Sequence, residues 1–273
     1  MNMFESISSY NFVEVNGYAY FSNLFYNALF KVELKTGKTF FLGNFENEML
    51  AENNLHLEVM LEDDQIYFFP RRGRHMFAYQ LSNQSMRAVE IRKRTEEFFV
   101  IEEVILKDNY IYFIPNQNNT PIKRMEKNTF RVTNVSNKLI VQGKCLSKDR
   151  NIIPTSIVKK YNIQHGTPIS CKQMFNGKWY CFIPVGRQLS CFSEGVNTLE
   201  FIPLTVVNEV EFQQYLHKVK QELFEARLFF DECNGVKFKE FLEATIFSSV
   251  LKENYYKMGK WRSMGEKIWK KLI

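Results

Sequence analysis

Glu58 and Glu103 each stand nine residues before a tyrosine of a recurring phrase, Tyr67 and Tyr112. Two carboxyls about 5–10 Å apart are what glycoside hydrolysis requires, one giving a proton and one attacking or activating water. Matching positions on neighbouring repeats would bring such groups face to face if their strand lined a central channel. The spacing also arises without chemistry, because any repeat sets polar residues at matching points of a solvated strand face. A second set lies in loops. Arg71, Arg72 and Arg74 follow Phe69-Pro70, and Asn116, Gln117, Asn118 and Asn119 fill the same place one repeat later. Arginine forks onto carboxylate or phosphate, and asparagine bonds sugar hydroxyls. An ordinary exposed loop has the same composition.

Other chemistry is not supported. His56, His75, His165 and His217 are scattered, with no H-x-x-x-H or H-E-x-x-H pattern, so no metal is expected. The chain has no G-x-G-x-x-G, Walker A or G-x-S-x-G motif, and no cofactor is expected. The cysteines Cys145, Cys171, Cys181, Cys191 and Cys233 include no C-x-x-C pair and read as free thiols of a reducing compartment.

The elements that position these residues come from the phrase itself. Asp63-Asp64-Gln65-Ile66-Tyr67-Phe68-Phe69-Pro70 returns 45 residues later as Asp108-Asn109-Tyr110-Ile111-Tyr112-Phe113-Ile114-Pro115. Trp179-Tyr180-Cys181-Phe182-Ile183-Pro184 follows Asn176-Gly177-Lys178, and Asn16-Gly17-Tyr18-Ala19-Tyr20-Phe21-Ser22 is a looser copy. Each copy begins on a turn pair that tolerates positive φ, the mark of a tight hairpin. A strand precedes the turn, the aromatic strand follows it, and two more strands come after a polar loop. Four strands in a period of about 40–50 residues read as a β-propeller blade.

The expected fold is therefore mainly all-β, a propeller of about five four-stranded blades over 1–205. The fourth blade, in 141–169, is shortened: Pro115 to Pro154 is 39 residues, but Pro154 to Pro184 is 30. A C-terminal helical extension fills 206–273. Asn208 with Glu211 reads as a capping box before Phe212, Leu216, Val219 and Leu223 at helical spacing, with a stop at Asn234-Gly235. Further helices are expected over 237–252 and around Trp261, Ile268 and Leu272.

Net charge is +6, and the stretch 248–273 carries +5 of it, from seven Lys/Arg against two Glu. The near-neutral remainder argues against a nucleic-acid face, which needs dense positive charge. The basic tail either packs its apolar side on the body or meets a partner or an anionic surface. Hydrophobic residues make up 45%, yet no 18-residue apolar run or signal segment occurs, so no transmembrane segment is expected and the cytoplasm is the expected compartment.

The blade phrase, with Leu29-Phe30-Lys31-Val32-Glu33-Leu34-Lys35-Thr36-Gly37-Lys38 after it, resembles kelch-like and related bacterial propellers, nearest to uncharacterised bacterial ones. The resemblance covers about 12–204, but the kelch double glycine and the Trp-Asp pairs of related blades are missing. It implies a fold and no reaction, because propellers host binding and catalysis alike. The expectation is a non-catalytic module that binds a protein or glycan through its loops, at Arg71, Arg72, Arg74, Asn116 and Asn118. The alternative is a glycoside hydrolase or polysaccharide lyase using Glu58 and Glu103.

Overall fold

The computed structural model describes residues 6–93, 95–117, 120–135, 143–146, 153–161, 172–182, 188–196 and 198–232. It is mainly β, with four antiparallel meanders. The first contains β1 (Val13–Val15), β2 (Tyr18–Ser22), β3 (Leu29–Glu33) and β4 (Lys38–Gly43). The second has β5 (His56–Glu62), β6 (Gln65–Pro70), β7 (His75–Gln80) and β8 (Met86–Glu90). The third has β9 (Ile101–Lys107), β10 (Tyr110–Pro115), β11 (Ile122–Glu126) and β12 (Val132–Val135), joined by β13 (Lys144–Cys145). After the short helix α1 (Thr155–Lys160), the fourth has β14 (Gln173–Phe175), β15 (Lys178–Phe182), β16 (Gln188–Ser193) and β17 (Glu200–Pro203). The described residues end with β18 (Thr205–Val206), parallel to β4, and α2 (Glu209–Glu232).

The turn pairs act as their residue types demand. Asn16, Asp63, Asp108 and Asn176, the first residue of each pair, take φ of 50°, 53°, 51° and 48°. Asparagine and aspartate tolerate this left-handed region better than other non-glycine residues. At Gly17 (φ 84°) a Cβ would also come within 2.8 Å of the Phe175 ring, so this turn seats the first sheet on the fourth.

The aromatic phrase is continuous because its strand is covered on both faces. Side chains alternate across a strand, so a sheet packed on two sides needs apolar residues at successive positions. In β6, Ile66 and Phe68 enter the core shared with the first sheet, while Phe69 enters the core shared with the third. In β10, Ile111 and Phe113 face the second sheet, and Tyr112 faces the β13 side. In β15, Cys181 packs on Ile153 and Ile157 beside α1, while Tyr180 and Phe182 enter the core of the first sheet. Phe182 lies 4.5 Å from Phe21 and 5.5 Å from Phe12, centroid to centroid. The leading strands follow the same order, with β1 against both β14 and β5, and β5 against β9.

Among the described residues there are four such sheets, one fewer than the five expected. Of the stretch read as a shortened blade, the described residues supply β13 and α1. Pro154, read as a strand ending, stands at the start of α1, where its fixed φ suits the first turn and its carbonyl accepts from Ile157 N–H at 3.0 Å. β13 pairs with the edge of β9 that β10 leaves open, and Gly143 permits the approach: a Cβ there would meet Leu106 O at 2.5 Å.

Helix α2 packs as its spacing predicts, burying Phe212, Leu216, Val219 and Leu223, with Tyr215, in the core of the first sheet. Asn208 works differently from a helix cap. Its Oδ1 accepts from Phe41 N–H at 3.0 Å and its Nδ2 donates to Phe41 O at 2.9 Å, so one side chain takes the place of a neighbouring strand. Glu211 accepts from that amide, at 3.0 Å, and not from the backbone of residue 208. The expected later helices and the basic tail lie outside the described residues. No described helix is long and apolar enough to cross a membrane.

Candidate binding surface

In each meander the tight turns stand at one end, and the loop after the second strand stands at the other. The loop ends are stitched together through the backbone. Leu24, Arg71 and Asn116 are equivalent positions of the repeat, eight residues after Asn16, Asp63 and Asp108. Leu24 N–H donates to Ser8 O, Arg71 N–H to Leu55 O, and Asn116 N–H to Val100 O, each at 2.9 Å. The carbonyls of Leu24 and Arg71 in turn accept from Asn54 and Ile101 of the following connection, at 2.9 Å. These bonds run main chain to main chain, and Asn116 adds its Oδ1, which accepts from Val100 N–H at 3.4 Å, so both loops start from a fixed point.

Around Arg71 the sequence converges from three connections. Glu48 Oε1 accepts from Arg74 N–H at 2.6 Å, His75 N–H at 2.7 Å and His75 Nδ1 at 2.8 Å. Arg72 Nε lies 3.0 Å from Glu52 Oε1, an ion pair and not an aligned hydrogen bond. Burial pushes the Glu52 carboxyl up although Arg72 pulls it down, and burial lowers the Arg72 guanidinium although Glu52 raises it. Arg92, 6% exposed, donates to Phe99 O and to Arg72 O, both at 2.9 Å. Glu96 ties the same connection to β11 through Lys123 at 2.5 Å.

This bracing leaves Phe98 46% exposed, its ring 4.3 Å from the Arg92 guanidinium and 5.6 Å from that of Arg72. An exposed ring on fixed guanidinium groups is the kind of anchor that carries binding energy at interfaces. Neither Arg71 nor Arg74 has a side-chain hydrogen bond or ion pair among the described residues. Asn116 and Gln117 are exposed in the next loop, and Asn118 lies outside the described residues.

The glutamates sit apart from this cluster, on the leading strands. Glu58 pairs in register with Phe69, and Glu103 with Ile114, so the two are structurally equivalent. Asn11 holds the same place in the first repeat, five residues before its turn. Its Nδ2 donates to Glu58 Oε2 at 2.6 Å, so equivalent positions of adjacent sheets do meet. Glu58 is 1% exposed and Glu103 is half-buried. Beside them Ser9, Asn11, Ser22, Asn23, Asn54 and His56 line a cavity of about 20 Å³, room for one or two waters. His56 Nδ1 lies 2.9 Å from Ser22 Oγ, its Nε2 is buried with no partner, and burial lowers its pKa to about 3.

Sequence reading marked Arg71, Arg72, Arg74 and Asn116 but missed Phe98, Arg92, Glu48 and Glu52. One usable signal was present: Phe98-Phe99 stands in an otherwise polar connection, after Arg92-Lys93-Arg94-Thr95-Glu96-Glu97.

No protein-family model matches the chain, and no curated protein matches it. Solved structures are similar at low identity. One is a structural-genomics protein of unknown function from Bacteroides thetaiotaomicron VPI-5482, 8% identical, with a TM-score of 0.37 over 72% of this chain and 44% of that one. A structure of the nidogen/laminin complex is 10% identical, with a TM-score of 0.34 over 73% and 65%. The extracellular domain of the one-component system BT4673 from B. thetaiotaomicron is 10% identical, with a TM-score of 0.33 over 72% and 22%. The chain spans less than two thirds of the length of each of these proteins, and at such TM-scores the likeness says nothing about activity.

Proposed function

We propose that the chain is a propeller-like, non-catalytic interaction module that takes a protein or glycan partner on the loop end of its sheets. The observation that carries this is Phe98, held out to solvent by Arg92 and Arg72, with Arg71 and Arg74, half-buried and unpaired among the described residues, on either side of Arg72 in sequence. The cyclic order of packing (fourth sheet on first, first on second, second on third) supports a radial arrangement, with β13 and α1 in the sector between the third and fourth. Buried free thiols at Cys145, Cys181 and Cys191 fit a reducing compartment such as the cytoplasm. A photo-crosslinking residue at Asn116 should capture a partner from extracts of the source organism, or a ligand on a glycan array. The same residue at Asn83, in an exposed turn at the opposite end, should capture none. Equal capture from both ends overturns the proposal.

A second reading, a carbohydrate-active site at Glu58 and Glu103, rests on their equivalent register positions on neighbouring sheets. Its test is turnover of a polysaccharide panel and its loss in Glu58→Gln and Glu103→Gln.

A further inference from the structure

We infer that the loop end reads carboxylates: an acidic segment of a partner protein, taken by Arg71 and Arg74 beside Phe98. This rests on the interaction reading above and adds the chemistry of the ligand. The inference follows from which charges of the cluster are spent within the fold. Two of its carboxylates point inward, where Glu48 and Glu52 keep side-chain exposures of 6% and 13%, and Glu96 pairs with Lys123, so Glu97 is the exposed acidic group next to Phe98 in sequence. One oxygen of Glu48 takes three N–H groups, and Glu222 Oε2 accepts from Ala51 N–H at 2.8 Å. Arg92 spends its N–H groups on two carbonyls, and Arg72 faces Glu52. Arg71 and Arg74, both half-buried, remain without a side-chain partner among the described residues, and each guanidinium has paired donors that match a carboxylate.

The forks are well placed for that work. The Arg71 backbone is fixed at both its N–H and its carbonyl, and the Arg74 N–H is fixed by Glu48, so little ordering is left for a ligand to impose. Phe98 adds an apolar contact whose ring face already lies on cations. Asn116 and Gln117, one repeat along, have oxygens that accept from Val100 N–H and Thr120 Oγ1, and their Nδ2 and Nε2 donors, with no acceptor among the described residues, suit the carbonyls of an extended segment. A phosphate-rich ligand would call for denser positive charge than this near-neutral body carries.

The test uses the full chain and fluorescence anisotropy of a labelled Asp/Glu decapeptide, with its all-Gln counterpart, at low and high salt. The acidic peptide should bind, the Gln peptide should not, and binding should weaken with salt. R71Q with R74Q should weaken binding about tenfold or more, and F98A should do the same. K35Q, an exposed basic residue at the turn end, should change nothing. Binding of the Gln peptide, indifference to R71Q/R74Q, or displacement by inorganic phosphate at equal charge concentration overturns the carboxylate assignment. If the Asn116 crosslink survives in R71Q/R74Q while the acidic peptide never binds, the inference falls and the interaction module stands. If the wild-type crosslink itself is absent, the module reading falls.

Discussion

Phe98 and Arg92 share one corner of the molecule and contribute differently. Phe98 is 46% exposed, so Phe98→Ala should leave thermal stability nearly unchanged while weakening partner binding. Arg92→Ala leaves the carbonyls of Phe99 and Arg72 without donors in a buried place and should cost about 3 kcal/mol in urea unfolding. His56 gives a pH signature. Its folded pKa is lowered from 6.5 to about 3, so the unfolded chain takes up a proton that the folded chain refuses. Stability from this residue is complete above pH 6.5 and falls as pH drops toward 3, by about 1.4 kcal/mol per pH unit. His56→Gln should flatten the acid limb by one proton relative to wild type. At this scale the sequence showed the loop arginines but not their partners. Glu52 stands twenty residues before Arg72 and Glu48 twenty-six before Arg74, and each pair meets only through tertiary packing.

The strands and turns were legible because period-two alternation and left-handed turn residues are local properties. What escaped were uses of a side chain that only a neighbouring element reveals. Asn208 has the sequence of a cap, yet β4 presents Phe41 with both main-chain groups unpaired, and the amide serves those. Asn208→Ala should therefore destabilise by about 2 kcal/mol, more than a lost cap typically costs, with Asn208→Asp recovering at most the acceptor half. Tyr215 donates to Asn27 O from the same helix. Removing residues from 205 onward would strip β18 from β4 and uncover Phe30, Phe41 and Tyr26. Such a truncation should fail to give soluble, folded protein, as read by far-UV dichroism and gel filtration. The Ile-Pro echo at 153–154 misled for the complementary reason: proline ends a strand and begins a helix with equal ease, and only packing against Cys181 and Phe192 decides.

Across the whole molecule the repeat gave the order of the sheets, since each aromatic strand presents at least one face to a neighbouring sheet, although β10 and β15 turn the other to β13 and α1. The number of units was less legible, because β13 joins the edge of β9 and α1 packs on the fourth sheet through contacts that have no period to detect. Main-chain stitching makes a prediction at this scale. The amides of Leu24, Arg71 and Asn116 should exchange with deuterium as slowly as strand amides although all three follow strands in irregular segments. Fast exchange there would show that the loop end is not held as described. Those stitches use only peptide groups, but the three side chains are not equally free: Leu24 is buried in the core of the first sheet and Asn116 Oδ1 also accepts from Val100 N–H, whereas Arg71 has no such duty. Relatives could rewrite position 71 without repacking a core, and a designer could vary it to retarget the scaffold.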